Sequence, residues 1–441
     1  MKNLVILHLE SISRQCLAAF ASSFPHTRRL LGEALVFDHF HSSATSTRMV
    51  ITYLFHGNDF EYDTASRYQG MRPAGNNRNL FALLQSRGYR TEVLCLNGFH
   101  GIRTPLETLS DELPALWGTN DFPALFKRFD ELTDAAPFAI YVWDLLTHIE
   151  HSRAVAPLSS GLTDQVQRAC RLADDAVGVM LATLQRKGLL EDTTIVVYGD
   201  HGDDYWTHGY KAGMIHATEP YTDITWVPMA IRDASVAAGH SERLGSTIDI
   251  APTCLALLQI DEALPFAHSG SSLLSGEREF AFSQNFTANQ PDSAALGIRQ
   301  AFAVSDRTHT LLTSSRGLEF YAHRLDPGNH CNLLHFFECD AAGQLTFRKP
   351  PTAAPHFQAA MQDNPHSLDG LARDFQRLRS ALAERLRAKR DYIESRGIAP
   401  VGALDPKFLQ TINREGREAF FRRGEPASAA APSFKVSFRP H

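Results

Sequence analysis

The sequence predicts an α/β fold: a mostly parallel sheet sandwiched by helices, followed by a small C-terminal α+β subdomain. Three observations carry this expectation. Up to about residue 275, short apolar or β-branched runs alternate with segments of helical periodicity, the order that βαβ units produce. Beyond that point the runs shorten and turns separate them, as in a small antiparallel sheet. A long charged amphipathic stretch then replaces the alternation.

Leu4–Leu9 reads as a buried strand closed by Glu10. Asn79–Arg87 reads as a helix stopped by Gly88, with Thr91–Leu96 and Phe138–Trp143 as the next strands. Val166, Ala169, Leu172, Ala173, Val177, Met180, Leu181 and Leu184 recur at helical spacing within Thr163–Lys187, and Gly188 supplies the stop. Thr194–Tyr198 and Trp226–Ile231 follow as strands. Glu279–Ser283, Ala301–Val304, Thr308–Thr313 and Leu318–Tyr321 are the expected strands of the subdomain. Leu368 to about Arg396 reads as a packing helix with a solvated face. From Arg422 the chain is rich in Ala, Pro, Ser and Arg and is expected to be extended or disordered. The expected division is a core over 1–275, a subdomain over 276–400 and a tail over 401–441.

With 441 residues, one large or two unequal domains are expected, and the chain is long enough to bury a substantial core. A 44% hydrophobic and 21% charged composition is that of an ordinary globule. The net charge of −6 offers no general attraction to nucleic acid or acidic membrane. Six scattered cysteines without a Cys-x-x-Cys pair read as reduced thiols. No run reaches membrane-spanning length and no signal peptide is evident, so a cytoplasmic location is expected.

The chemistry centres on Val196-Val197-Tyr198-Gly199-Asp200-His201-Gly202, where a β-branched run ends in an acid and an imidazole. Ligands of open α/β sheets bind beyond such strand ends. Glu10 ends the first strand in the same way; it is either a metal ligand or an acid at the start of a helix, where Ser11 and Ser13 also fit. Thr45-Ser46-Thr47-Arg48 precedes a helical run, so a threonine there is either an N-cap or a hydroxyl placed where backbone N–H groups favour an anion. Metal contact would activate such a hydroxyl as a nucleophile. Asp144 and His148, four apart, share one face if helical and could hold a second metal; otherwise His148 could contact the substrate. His208, Lys211 and His216 follow, offering a further imidazole ligand or a cation for a bound phosphate or sulfate.

Together these segments resemble the alkaline phosphatase superfamily, in particular its sulfatase-like branch. Glu10 followed by Ser11 is similar to the metal carboxylate of phosphoglycerol and phosphoethanolamine transferases. Thr45-Ser46-Thr47 resembles the Thr-x-Thr of phosphoethanolamine transferases and nucleotide pyrophosphatases, and Thr47 stands ten residues before Gly57, the family's spacing for its nucleophile. The sulfatase Cys-x-Pro-Ser-Arg is absent: Thr47 takes the cysteine position and Ile51 that of the arginine. Asp144-x-x-x-His148 is similar to a two-metal motif, with Thr147 in place of its glycine. His216 lies at about the distance of a later metal histidine, and His208-Gly209 resembles the sulfatases' His-Gly. Asp249-x-x-Pro252-Thr253, and Glu319-Phe320-Tyr321 with Asp326-Pro327 and Asn332-Leu333, resemble structural markers of the same branch.

The resemblance implies an alkaline-phosphatase-like core. It implies a hydrolase or transferase of phosphate mono- or diesters acting through a phospho-threonine at Thr47. One metal would bind Glu10, Thr47, Asp200 and His201; in the alternative with two metals, Asp144, His148 and His216 or His208 would bind the second. Zinc suits the imidazoles, with manganese as the alternative. His208, Lys211 and Arg48 are the expected substrate contacts. Sulfate or phosphonate esters, or an inactive scaffold that keeps the metal, are the competing readings. The expected partner is a small phosphoester, without nucleic acid or a membrane span.

Overall fold

The computed structural model describes residues 1–57, 59, 62–64, 71–73, 79–96, 115–119, 121–148, 162–205, 207–208, 216–262, 270–285, 301–314, 317–324, 326–339, 345–347 and 368–395. Its strands are β1 (Asn3–Leu9), β2 (Leu35–His41), β3 (Tyr62–Thr64), β4 (Met71–Pro73), β5 (Arg90–Leu96), β6 (Ala115–Thr119), β7 (Phe138–Asp144), β8 (Thr193–Gly199), β9 (Met229–Arg232) and β10 (Gly239–Ser246). Then come β11 (Ala281–Asn285), β12 (Ala301–Ser305), β13 (His309–Ser314), β14 (Gly317–Ala322), β15 (Phe337–Cys339) and β16 (Leu345–Phe347). The expected tail lies outside the described residues.

Among the described residues, eight strands form one sheet in the order β10-β2-β9-β8-β1-β7-β5-β6. β1 is central and parallel to both β7 and β8. Every residue of β1, β7 and β8 is buried, as strands covered on both faces require. Each fully buried Leu, Ile or Val there contributes roughly 1.5–3 kcal/mol. Trp226–Ile231 was expected to be one strand. The ladder instead begins at Met229 and runs antiparallel to β8. Pro228 has no N–H to give a ladder, although its carbonyl accepts the Gly199 N–H at 2.9 Å.

Local signals set the helix ends. Asn79 caps Leu80–Ser86 by accepting the Ala82 N–H at 2.9 Å. The expected long helix spans Leu162–Arg186, and Gly188 follows with φ 68°. Asp249 accepts the Ser246 N–H at 2.9 Å just before the Ile250–Leu257 helix, where the Asp-x-x-Pro-Thr marker falls.

The chain divides into two compact units. One comprises 1–203 and 226–278, and the other comprises 204–225 and 279–441. The second contains the antiparallel sheet β11-β12-β13-β14. The amphipathic helix, Leu368–Ser395, buries Leu371, Phe375, Leu378, Leu382 and Leu386, and Phe375 meets Phe320 of β14 edge-on at 5.5 Å. Asn332, one of the marker residues, accepts the Phe320 N–H at 3.0 Å through its side chain. No helix among the described residues is long and apolar enough to cross a membrane.

Candidate metal centre

Strand alternation builds the site. Side chains two apart along a strand share a face, and residues in register on parallel neighbours point the same way. His8 is in register with Trp143 of β7 and Tyr198 of β8. One sheet face therefore carries Tyr141 and Trp143, His8 and Glu10, and Tyr198 and Asp200, all buried.

At the carboxyl edge of this face, β1 turns through Ser11 in a left-handed conformation, φ 55°. That conformation is strained for a residue with a Cβ and is held here by its surroundings. The turn lets the Ser11 N–H donate to Asp200 Oδ1 at 2.9 Å. Gly199 makes the crossing possible: a Cβ there would stand 2.2 Å from the Ile12 carbonyl oxygen. The helix after Glu10 is capped by Ser13, which accepts the Cys16 N–H at 3.1 Å, so Glu10 is not spent as a cap.

Thr47 is the first residue of the Thr47–His56 helix. Its Oγ1 lies 2.9 Å from Glu10 Oε1 and 2.9 Å from His201 Nε2. His201 Nδ1 stands 3.0 Å from the Gly202 carbonyl oxygen, which can only accept, so Nδ1 carries a proton. Nε2 is left to take either a second proton or a metal. It faces Asp200 Oδ2 at 3.2 Å, and that oxygen is buried without a hydrogen bond. Glu10 Oε1 and His201 Nε2 thus meet at Thr47 Oγ1, and His201 Nε2 faces Asp200 Oδ2, a place that calls for positive charge; by spacing alone the group of three here is His8, Glu10 and Asp200. Mixed carboxylate, imidazole and hydroxyl donors suit zinc or manganese.

Electrostatics agree. Burial above all, and then the Asp200 charge, hold the Glu10 carboxyl well above its ordinary range, although Trp143 and Thr47 donate hydrogen bonds to it. Burial also opposes ionisation of Asp200. The His201 and His8 imidazoles and the Ser11 N–H outweigh that opposition, so its carboxyl is held well below the usual range. One acid of the pair is thus held ionised by imidazole and N–H partners, while the other resists ionisation until positive charge arrives.

The second metal set is not assembled as expected. Asp144 follows Trp143, whose indole faces Glu10, so alternation turns Asp144 to the opposite face. Its Oδ1 accepts the Leu146 N–H at 2.8 Å, closing a tight turn where the i, i+4 expectation needed a helix. Neither Asp144, His148 nor His216 belongs to a metal-competent group of three His, Cys, Asp or Glu side chains among the described residues. Burial pushes the Asp144 carboxyl up to about 7, partly offset by the Leu146 N–H. Thr147 instead serves β1: its hydroxyl donates to the Glu10 carbonyl at 2.6 Å.

His208 lies in the second unit, stacked on Tyr221 at 3.7 Å. Its Nδ1 is 2.9 Å from Asp204 Oδ2 and its Nε2 is 3.0 Å from the Asn329 carbonyl oxygen. Arg48 lies in the first turn of the Thr47–His56 helix, and Lys211 falls outside the described residues.

Two groups escaped the sequence reading. Trp143 Nε1 donates to Glu10 Oε2 at 2.7 Å. His8 Nε2 lies 3.3 Å from Asp200 Oδ1 and 3.5 Å from Glu10 Oε2. The available signal was a period of two: His8 precedes Glu10, Tyr198 precedes Asp200 and Tyr141 precedes Trp143 by two residues, in runs otherwise aliphatic.

An arylsulfatase of Volvox carteri is 33% identical over 95 residues, 20% of this chain and 14% of that protein. Lipoteichoic acid synthase 1 of Bacillus subtilis (strain 168) is 26% identical over 184 residues, 39% of this chain and 28% of its own length. The chain thus spans less than a third of either relative. A putative sulfatase from Bacteroides thetaiotaomicron VPI-5482 has the same fold, with a TM-score of 0.63 at 14% identity over 94% of this chain and 98% of that one. The sulfatase family model matches residues 2–260, more than half of the sequence, and the chain belongs to that family.

Proposed function

We propose that the chain is a metal-dependent phosphoester hydrolase or phosphotransferase in which Thr47 is the nucleophile. One observation carries the reading: the Thr47 hydroxyl is 2.9 Å from both Glu10 Oε1 and His201 Nε2, beside an Asp200 oxygen that lacks a hydrogen bond. Glu10, Asp200, His201 and Thr47 are the residues that would hold the ion. When bound, a divalent cation such as zinc would lower the hydroxyl pKa and neutralise charge on the ester oxygens.

The chain's own residues do the rest. The Gly202 carbonyl fixes the ring orientation of His201. The Thr47–His56 helix presents Thr47 at its N-terminus, where free backbone N–H groups attract the anionic group. Thr47 Oγ1 attacks phosphorus in line, the bond to the leaving oxygen breaks, and the group rests on Thr47 until water or an acceptor hydroxyl removes it. A threonine rather than a cysteine at this position favours phosphorus over sulfur, because no formylglycine can form there. Arg48, His208 and Lys211 are proposed substrate contacts.

The test compares turnover of aryl phosphate mono- and diesters, a phosphonate monoester and a sulfate ester, each with zinc or manganese, for the wild type and Thr47→Ala. The phosphate esters should be the best substrates. Thr47→Ala should lose at least about 10³-fold in turnover while still binding one equivalent of metal. Turnover retained in that variant rules out the nucleophile, and two tightly bound equivalents in the wild type restore the two-metal scheme.

A further inference from the structure

Each carboxylate of the centre has two oxygens with different surroundings. Glu10 Oε1 and Asp200 Oδ2 face Thr47 and His201. The other two, Glu10 Oε2 and Asp200 Oδ1, point back into the sheet. There they meet the Trp143 indole N–H at 2.7 Å, the Ser11 N–H at 2.9 Å and, between them, the imidazole of His8.

His8 is held from behind. Its Nδ1 is 2.7 Å from the Tyr141 hydroxyl, which is itself 2.7 Å from the Tyr198 hydroxyl. The ring lies parallel to the Trp143 indole, 5.7 Å centre to centre with 2° between the planes. Its Nε2 faces two carboxylate oxygens, Asp200 Oδ1 at 3.3 Å and Glu10 Oε2 at 3.5 Å, so a proton on Nε2 suits the site and leaves Nδ1 to accept from the Tyr141 hydroxyl. Nε2 is buried, has no hydrogen-bond partner of good geometry among the described residues, and is aimed at the gap between the two acids.

His8, Glu10 and Asp200 are also spaced closely enough to hold a cation by themselves. The donors decide against that. Indole, backbone and imidazole N–H groups all converge on the inner oxygens, and a cation among three N–H protons would be repelled.

We propose that His8 is a positioning residue of the metal centre. Its Nε2–H spans the inner oxygens of Glu10 and Asp200 and fixes both carboxylates so that their outer oxygens meet His201 and Thr47 on one ion. This inference rests on the functional reading above. A group that orients metal ligands from outside the coordination shell typically changes metal affinity by 10–100-fold.

The experiment measures zinc affinity by competition with a chromophoric chelator, together with the visible spectrum of the cobalt-loaded protein. His8→Phe keeps a ring against Trp143 and removes the N–H. It should weaken zinc binding by about 10–100-fold. His8→Gln, whose amide can reach the same place, should recover most of that affinity. Cobalt-loaded His8→Gln should keep the wild-type spectrum. Where His8→Phe does not fold, Tyr141→Phe takes its place: it frees His8 Nδ1 and should weaken zinc binding several-fold.

Wild-type affinity in His8→Phe, or in Tyr141→Phe where that variant stands in, overturns the proposal. A changed cobalt spectrum in His8→Gln also overturns it, because it would make His8 a ligand. A wild-type protein that binds no metal would instead defeat the functional reading itself.

Discussion

Asp144 shows how one carboxyl's surroundings set its role. It is buried at the end of β7, lacks a hydrogen bond at Oδ2, and is held neutral up to a pH of about 7. In the unfolded chain it ionises near 3.9. Between those values the folded state binds the extra proton, so stability falls as pH rises and the penalty is complete above about 7. A shift of this size corresponds to about 4 kcal/mol. Asp144→Asn keeps the acceptor for Leu146 and cannot ionise. Urea denaturation in the presence of a chelator should find it equal to wild type near pH 4 and more stable by several kcal/mol at pH 8. A constant difference across that range would mean that Asp144 is ionised in the fold.

The same residues show what local sequence can reveal. Thr47, Asp200 and His201 were legible because each motif is contiguous: a hydroxyl before a helix, and an acid and an imidazole before a glycine. The expectation that placed Asp144 and His148 on one face held only in a helix, whereas the strand continues to Asp144 and then turns. His8 was absorbed into an apolar run. Its surroundings come from residues far along the chain, Tyr141 at 133 residues and Asp200 beyond that, which no local pattern reports.

At the scale of elements, three parallel strands end at one level, and the site is the row just beyond. The order β7-β1-β8 brings Trp143, Glu10 and Asp200 together although their strands are far apart in the chain. Buried aliphatic runs made β1, β7 and β8 readable, as in any sheet covered on both faces. β10 was not readable. Gly239–Ser246 is largely polar and exposed over its first half, and it is a strand because β2 offers a partner, not because of propensity. Gly199 is the tightest joint in this arrangement. Gly199→Ala would drive a methyl into the Ile12 carbonyl and the Pro228 ring. It should cost roughly 1–3 kcal/mol in urea unfolding and weaken zinc binding, because the Ile12 backbone continues the turn that carries Glu10 and Ser11. Unchanged stability would show that the turn yields freely.

For the whole molecule, a metal that binds only the folded chain stabilises it by mass action. Free zinc at 100 times its dissociation constant should add about 2.7 kcal/mol, and a thermal scan against zinc concentration reads this as a steadily rising midpoint. Thr47→Ala should show most of that rise, whereas Asp200→Ala should show none.

The chain leaves the first unit directly after Asp203 and returns at Trp226. Within 204–225, two described residues bond to segments synthesised later: Asn285 donates to the Ala217 carbonyl at 2.6 Å, and Asn329 accepts the Thr222 N–H at 2.8 Å. On a ribosome, Ala217 must therefore wait 68 residues for Asn285, and Thr222 must wait 107 residues for Asn329. A chain truncated at Arg278 lacks both partners and should be cut by protease around Ala217 and Thr222 faster than the full chain.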